Sequence, residues 1–225
     1  MKYQWILFDA DETLFHFDDL QGLQLMFSRY DIDFTNDDYI KYQSINKPLW
    51  VEYQNGTISA KQLQHNRFQS WAEKLQVSTQ TLHNNFVTAM ADICSPLPGA
   101  KELLSSLHGK VKMGIVTNGF TALQEIRLQR TGFSEYFSSL TISEQVGIAK
   151  PDKGIFEHAL NAMGQPEKRQ VLMVGDNPHS DILGGLNAGI DTCWLNSNGQ
   201  TQPEDITPHY QVSSLAELQC LLSEQ

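Results

Sequence analysis

The chain opens with YQWILFDADETL, residues 3–14, and this stretch decides the fold. A short apolar run rich in strand-forming residues ends in Asp9 and Asp11, and Thr13 follows. Side chains two positions apart on an extended chain point to the same side. The two carboxylates are therefore expected to face one cleft at the end of a buried strand. Close carboxylates repel unless a cation lies between them or one keeps its proton, so the pair predicts a functional site.

Composition limits the classes of protein to which the chain can belong. It has 225 residues, 40% hydrophobic and 19% charged, which is typical of one large globular domain or a core domain with a smaller companion. The formal net charge is -10 and no basic run is present, so we expect no nucleic-acid partner and no membrane partner. Three scattered cysteines and an N-terminus without a secretory signal predict a cytoplasmic protein.

Residues 19–95 differ in character from the opening strand. Apolar residues recur there at helical spacing, and N-cap signals stand at Thr35, Ser59 and Ser78. Strand-like alternation is absent from this stretch of sequence. We therefore expect a helical insertion of about four helices, large enough to form a small domain.

The segment SPLPG, residues 95–99, ends the insertion, and strands alternate with helices after it. This alternation predicts a Rossmann-like α/β fold, in which a mainly parallel sheet carries helices on both faces. The expected domains are a core of residues 1–18 and 96–225 and a helical domain of residues 19–95. The later strands are expected at about 111–116, 140–142, 170–174, 192–195 and 210–212, and the later helices at about 99–108, 121–130, 152–163, 180–188 and 214–222.

Polar residues follow the carboxyl ends of these predicted strands, which is where parallel sheets bind ligands. Thr117 and Asn118 end the second strand and precede a glycine at a helix start, an arrangement that binds anions. Lys150 comes just before a helix-initiating proline. Asp176 ends the fourth strand, and Asp181 follows about one helical turn later.

Each of these residues, taken alone, is consistent with an ordinary helix cap or a solvated side chain. Together they bring several carboxylates, a hydroxyl, an amide and an ammonium group to one edge of the sheet. Such a cluster needs a cation, and oxygen-only ligands favour Mg²⁺, with Mn²⁺ or another divalent ion as the alternative. The sequence therefore predicts a metal-dependent catalytic site.

Four motifs resemble, in the right order, those of the haloacid dehalogenase superfamily, and the resemblance covers essentially the whole chain. They are DADET at 9–13, TN at 117–118, KP at 150–151 and GDNPHSD at 175–181. The helical insertion resembles that superfamily's type-1 cap. Glu12 departs from the pattern, because phosphatases of this group often have glycine at that position, and its role stays open.

Further stretches resemble bacterial pyrimidine 5'-nucleotidases within that superfamily. They are FDADETLF at 8–15, NKPLW at 46–50, TNGFT at 117–121 and LMVGD at 172–176. The resemblance implies a phosphomonoesterase that hydrolyses nucleoside monophosphates such as dUMP, UMP and dTMP and clears non-canonical pyrimidine nucleotides. The expected partner is therefore a small-molecule nucleoside monophosphate. The sequence leaves open a monomer or a small homo-oligomer.

The physical interpretation and the resemblance imply the same roles. Asp9 is the nucleophile that forms an aspartyl-phosphate, and Asp11 protonates the leaving oxygen and then activates water. The metal is expected to be held by Asp9, the backbone carbonyl of Asp11 and Asp176, while Asp181 orients a metal-bound water or a neighbouring ligand. The phosphoryl oxygens are expected to be bound by Thr117, Asn118 and Lys150.

The core motifs contact only phosphate, so we expect the helical insertion to choose the substrate and to admit it by opening and closing. The sequence does not single out a base contact, because aromatic residues at helical spacing are also typical of a domain interior. His16 and His179 are expected to be surface residues near the site. The candidates for contact with the base or sugar are Phe15, Lys47, Trp50 and Tyr53, together with Phe17, His65, Arg67 and Trp71.

Alternative functions stay open at this point. One is a phosphatase for another small phosphate, such as phosphoglycolate or a sugar phosphate. A second is a phosphoacceptor resembling a response-regulator receiver, which shares an acidic Mg²⁺ site but has no large helical insertion. A third is a nucleotide-binding module without turnover, which the intact pair Asp9 and Asp11 disfavours. A true dehalogenase is disfavoured too, because it needs no acid/base of the Asp11 kind.

Overall fold

The computed structural model describes residues 2–224 and divides them into two compact units. Unit 2 comprises Phe17–Cys94 and Thr121–Arg127, and unit 1 comprises the rest of the described chain. The insertion was expected over 19–95. The observed unit 2 also takes in the first turns of a helix that follows the second strand, which the sequence interpretation assigned to the core.

Unit 1 is built on a parallel sheet that confirms the predicted α/β class. Its strands within residues 2–224 are β1 (Trp5–Phe8), β2 (Lys112–Thr117), β3 (Ser139–Ile142), β4 (Val171–Gly175), β5 (Asp191–Leu195) and β6 (Tyr210–Val212). They lie in the order β3-β2-β1-β4-β5-β6, and every neighbouring pair is parallel. β1 and β4 are buried along their whole length, as expected of central strands in a sheet covered on both faces.

The register of the central strands places the functional residues. Phe8 at the end of β1 lies level with Ile115 of β2 and Val174 of β4. Because all three strands are parallel, the residues that follow them emerge at the same edge of the sheet. Asp9 and Asp176 are among these residues.

The helices agree with the predicted pattern, with differences at their ends. A π-helical turn at Pro178–Ile182 starts this helical segment two residues earlier than predicted, and the Asn177 side chain caps it by accepting the N–H groups of His179 and Ser180. A short helix at residues 143–146 was not predicted, since four residues carry no periodicity. The α-helices are α1 (Asp19–Ser28), α2 (Asn36–Gln54), α3 (Ala60–Asn66), α4 (Gln69–Leu75), α5 (Thr79–Asp92), α6 (Ala100–Leu107), α7 (Thr121–Thr131), α8 (Ser143–Val146), α9 (Lys153–Ala162), α10 (Leu183–Ala188) and α11 (Leu215–Ser223).

Unit 2 contains the five helices α1–α5, where the sequence indicated about four. Thr35, Ser59 and Ser78 cap α2, α3 and α5 as predicted, and the first two form full capping boxes. Aromatic side chains fill its interior, with the ring of Phe27 stacked on that of Phe34 at 4.8 Å between centroids. No helix within residues 2–224 is both long and apolar enough to cross a membrane.

Candidate active site

The Lys150 ammonium group joins two aspartates at the carboxyl edge of the sheet. Lys150 Nζ lies 2.5 Å from Asp9 Oδ1 and 2.7 Å from Asp181 Oδ1, and it also donates to the carbonyl of Val116 at 2.7 Å. These three bonds use all three protons of the ammonium group. All three side chains are buried, with Lys150 only 1% exposed. Lys150 therefore neutralises carboxylates in this structure, and a bond to a phosphoryl oxygen would have to replace one of its present contacts.

The environment of the site disfavours the charged form of two of its carboxyl groups. Burial raises the pKa of Asp9 to about 7, against the lowering effect of Lys150. Burial and then the charges of Asp181 and Asp9 raise the pKa of Asp176 to about 8. Burial disfavours the charged form of Lys150, but the carboxylates of Asp181 and Asp9 outweigh it and raise its pKa above the usual value. The one ammonium group of Lys150 therefore does not offset the burial of the carboxyl groups around it.

The same three carboxylates fit a divalent cation. One carboxylate oxygen from each of Asp9, Asp176 and Asp181 lies within 4.8 Å of the other two, and a purely oxygen donor set suits a hard ion such as Mg²⁺. Asp181, however, is already engaged: Oδ1 accepts from Lys150 and from Ser180 Oγ. Its Oδ2 accepts the N–H of Asn177. This favours Asp9 and Asp176 as direct ligands and leaves Asp181 to hold its neighbours in place.

Three residues around Asp176 and Asp181 hold these two aspartates in position. The sequence interpretation gave none of the three a role. Thr13 is fully buried, and its hydroxyl oxygen accepts the Asp176 N–H at 3.1 Å and lies 3.4 Å from Asp176 Oδ1. Trp194 Nε1 donates to the Asp176 carbonyl at 2.8 Å. Gly175 is required by sterics, since a Cβ at this position would overlap the Asp181 carboxylate. A hydroxyl two residues after Asp11 and a glycine before Asp176 were the available signals.

Thr117 and Asn118 occupy the end of β2, and their side chains already have partners. Thr117 Oγ1 accepts the Gly119 N–H at 2.9 Å. This bond does not use the hydroxyl proton of Thr117, which can still be donated. Asn118 bonds twice to the backbone of Lys150: Oδ1 accepts the N–H at 2.8 Å and Nδ2 donates to the carbonyl at 3.0 Å. The Asn118 side chain therefore fixes the loop that carries Lys150, a use that the sequence did not reveal.

The segment after Asp9 contains Glu12, the residue at which the chain departs from the family pattern. Glu12 has a φ of 54°, in the left-handed region that glycine adopts without steric cost. Its carboxylate Oε1 lies 3.0 Å from Nδ1 of the exposed His16. Asp11 is partly buried and forms an isolated bridge with Phe15. His179, the other predicted surface histidine, is exposed.

The candidates for base contact are placed differently from one another. Phe15 is fully buried and packs on Phe133 at 5.6 Å between ring centroids, so its ring has no surface to offer a substrate here. On α2, Lys47 is exposed, and the half-buried Trp50 meets the buried Tyr53 edge-on at 5.8 Å. These three residues stay predictions.

The remaining candidates belong to the body of unit 2. Phe17 packs against its core, and Trp71 lies 4.3 Å from Phe27 between ring centroids. His65 is exposed, and its Nδ1 is 2.6 Å from Thr79 Oγ1. Arg67 is buried against aromatic rings and bonds to a histidine ring. Phe17, Arg67 and Trp71 are thus explained by packing.

Comparison with known proteins identifies a family of hydrolases. Residues 3–189 match the family of haloacid dehalogenase-like hydrolases. The chain is 58% identical over 222 residues to pyrimidine 5'-nucleotidase YjjG of Escherichia coli K12, covering 99% of both chains. It is 34% identical over 226 residues to pyrimidine 5'-nucleotidase PynA of Streptococcus pneumoniae R6, covering 97% of this chain and 94% of the relative.

Among solved structures, the chain is similar to YfnB of Bacillus subtilis, described as a HAD-hydrolase. The TM-score is 0.85 at 30% identity, and the alignment covers 99% of both chains. That crystal structure was determined with magnesium bound and reveals interdomain movement.

Proposed function

The chain belongs to the haloacid dehalogenase-like hydrolases, and we propose that it hydrolyses the 5'-phosphate of pyrimidine nucleoside monophosphates such as dUMP, UMP and dTMP. The observation that carries this proposal is the 58% identity to a pyrimidine 5'-nucleotidase along the full chain. Membership in a hydrolase family disfavours a phosphoacceptor or a binding module without turnover. We also propose a cytoplasmic location, with which the reduced thiols of Cys94, Cys193 and Cys220 are consistent.

The reaction begins with a nucleophilic carboxylate. Asp9 attacks the phosphorus atom, an acyl-phosphate bond forms, and the bond from phosphorus to the nucleoside 5'-oxygen breaks. Asp11 donates a proton to that oxygen, so the nucleoside leaves as a neutral alcohol. Lys150 supports this step, because its ammonium group opposes the rise in the pKa of Asp9 and favours the ionised nucleophile.

Hydrolysis of the intermediate restores the enzyme. Asp11, now deprotonated, takes a proton from water, and the resulting hydroxide attacks phosphorus and frees phosphate from Asp9. Thr117 is suited to donate its hydroxyl proton to a phosphoryl oxygen during both steps, and the buried setting strengthens such a bond. Asn118 and Asp181 act indirectly, by holding Lys150 at its backbone and its ammonium group respectively.

A divalent cation completes the proposed site. Asp9, Asp176 and the backbone carbonyl of Asp11 would hold it, and it would neutralise the phosphate charge that otherwise opposes entry into a cluster of carboxylates. The crowded carboxylates and the magnesium bound in the YfnB structure support this assignment. Thr13 keeps Asp176 in position for this role.

A substrate screen tests the proposal. Purified protein is assayed for phosphate release from dUMP, UMP, dTMP, phosphoglycolate and sugar phosphates, with Mg²⁺ and with a chelator. We expect Mg²⁺-dependent release from the pyrimidine nucleotides at rates at least about tenfold above those for the other esters. Faster release from phosphoglycolate or a sugar phosphate would replace the nucleotidase by the alternative phosphatase. An absence of metal-dependent release from every monoester would refute both.

A further inference from the structure

One face of α2 carries a line of polar and aromatic side chains. Tyr39, Gln43, Asn46 and Trp50 are spaced by four, three and four residues, so they share that face. Asn46 is only 7% exposed, and its Oδ1 has no hydrogen-bond partner. Among the buried side-chain oxygens of residues 2–224, Asn46 Oδ1 is the one without a hydrogen-bond partner. Buried acceptors in native proteins are almost always matched by protein or by ordered water, so an unmatched one indicates that a water or a ligand supplies its partner.

The orientation of the Asn46 amide is determined by its neighbours on this face. The Asp19 carboxylate can only accept, and it receives Gln43 Nε2 at 2.5 Å and the Tyr39 hydroxyl at 2.7 Å. Gln43 Nε2 also donates to the Tyr39 oxygen at 2.9 Å. Burial raises the pKa of Tyr39 to about 12, which keeps its hydroxyl a donor at neutral pH.

This arrangement turns the other end of the Gln43 amide towards Asn46. Because both protons of Gln43 Nε2 are engaged, its Oε1 faces Asn46 Nδ2, at 3.4 Å. A flipped Asn46 would bring its oxygen against Gln43 Oε1, two acceptors facing each other. The Asp19 carboxylate thus fixes Gln43, and Gln43 fixes Asn46 with Oδ1 as the free acceptor.

We propose that Asn46 recognises the base, accepting the N3–H of a uracil or thymine ring at Oδ1 and donating its second Nδ2 proton to an adjacent ring carbonyl; this rests on the proposed function. Uracil and thymine present a donor at N3 beside carbonyl acceptors, which complements this amide. Cytosine presents an acceptor at N3 and a donor at N4, which opposes it. Trp50, one turn further along the same face, adds an aromatic ring of the kind on which bases stack.

The test compares kcat/KM for dUMP and dCMP, with p-nitrophenyl phosphate, which has no base, as the internal reference for damage to the chemistry. In Asn46→Ala we expect the dUMP value to fall about 10- to 100-fold relative to the reference, because a neutral hydrogen bond is lost and a buried partner is left unmatched. The dCMP value should change little, so the dUMP-to-dCMP ratio falls.

Two further variants separate recognition from general damage. Gln43→Leu frees the Asn46 amide to flip, so we expect dUMP hydrolysis to persist while the dUMP-to-dCMP ratio falls through a gain on dCMP. Asn84→Ala removes an amide from the exposed face of α5, where it accepts from Gln80 at 2.9 Å, and should leave the ratio unchanged.

The outcomes distinguish this inference from the function on which it rests. If the wild-type protein hydrolyses no nucleotide, both fail together. If it prefers dUMP over dCMP and Asn46→Ala keeps that ratio within about twofold, the role of Asn46 is refuted and the nucleotidase stands. If Asn46→Ala does not fold, as judged by circular dichroism, an unchanged ratio in Gln43→Leu refutes the inference instead.

Discussion

The acidic edge of unit 1 is formed by Asp9, Asp176 and Asp181. It buries polar groups in a different way from the α2 face of unit 2. At the acidic edge the Lys150 ammonium group is saturated by its partners. On the α2 face a neutral amide oxygen, that of Asn46, is left without one. An unpaired buried charge costs several kcal/mol, whereas an unmatched neutral acceptor costs about 1–3 kcal/mol. Leaving a neutral recognition group without a partner until the substrate binds therefore costs a protein less free energy than leaving a buried charge uncompensated.

The largest expected effect tests whether the reaction takes place at the acidic edge. Asp9→Asn keeps an oxygen that can accept from Lys150, so the fold should persist, but it removes the nucleophilic carboxylate. We expect kcat to fall by at least about 10⁴-fold at unchanged circular dichroism.

The matched control for that variant lies in unit 2. Asp18→Asn makes the same chemical change at the N-cap of α1, where the side chain accepts the Gln21 N–H at 2.8 Å. Asparagine caps helices as well as aspartate, so activity should be retained. Activity near wild type in Asp9→Asn, or equal losses in the two variants, would contradict the covalent mechanism.

The positions of the charged site residues could be predicted from the sequence, because topology alone brings the ends of parallel strands together. Asp9, Lys150 and Asp176 were singled out in this way, and the structure brings them to one edge. What Asn118 bonds to could not be predicted. Its side chain binds a loop 32 residues away, and that contact depends on how the two loops fold against each other.

Unit 2 was less predictable in the respects that bear on recognition. Its helix starts could be found because capping is local, within three residues of Thr35 or Ser59. The orientation of the Asn46 amide depends on Asp19, which lies on another helix and leaves no trace in the spacing of α2. The assignment of α7 residues to unit 2 was likewise missed, because periodicity shows an apolar face and not the unit that it joins.

The second test concerns the difference in cost between buried and exposed charge. Lys150→Met leaves Asp9 and Asp181 buried without their shared cation, and we expect a loss of about 3–5 kcal/mol in the free energy of unfolding. Arg29→Met in unit 2 breaks a pair with Asp92 at 2.7 Å in which both side chains are 36% exposed. Solvent screens that pair, so its loss should cost less than about 1 kcal/mol.

Urea denaturation without added metal measures both variants under the same conditions. A change in the midpoint at constant slope reports the change in stability. Similar losses in Lys150→Met and Arg29→Met would mean that the acidic edge tolerates its charges without the ammonium group, and the contrast between the two regions would then have no energetic basis.

The smallest effects are expected from a pair of glycines, one in each unit. A Cβ at Gly175 would overlap the Asp181 carboxylate, whose position is set by Lys150, Ser180 and Asn177. Gly175→Ala should therefore displace Asp181 and lower kcat by about 10²-fold, a loss that a misplacement of about 1 Å near reacting groups can cause. Its melting temperature should fall as well, because overpacking costs about 1–3 kcal/mol.

Gly22→Ala is the matched change in α1, where the new Cβ would overlap the sulfur of Met90. Methionine is flexible and can move aside, and alanine is favoured over glycine inside a helix by about 1 kcal/mol. The two effects oppose each other, so we expect kcat to stay within about twofold and stability within about 1 kcal/mol of wild type. A large loss of kcat in Gly22→Ala, or none in Gly175→Ala, would contradict this expectation. It would show that activity does not depend on the exact position of the acidic edge more than on the packing of unit 2.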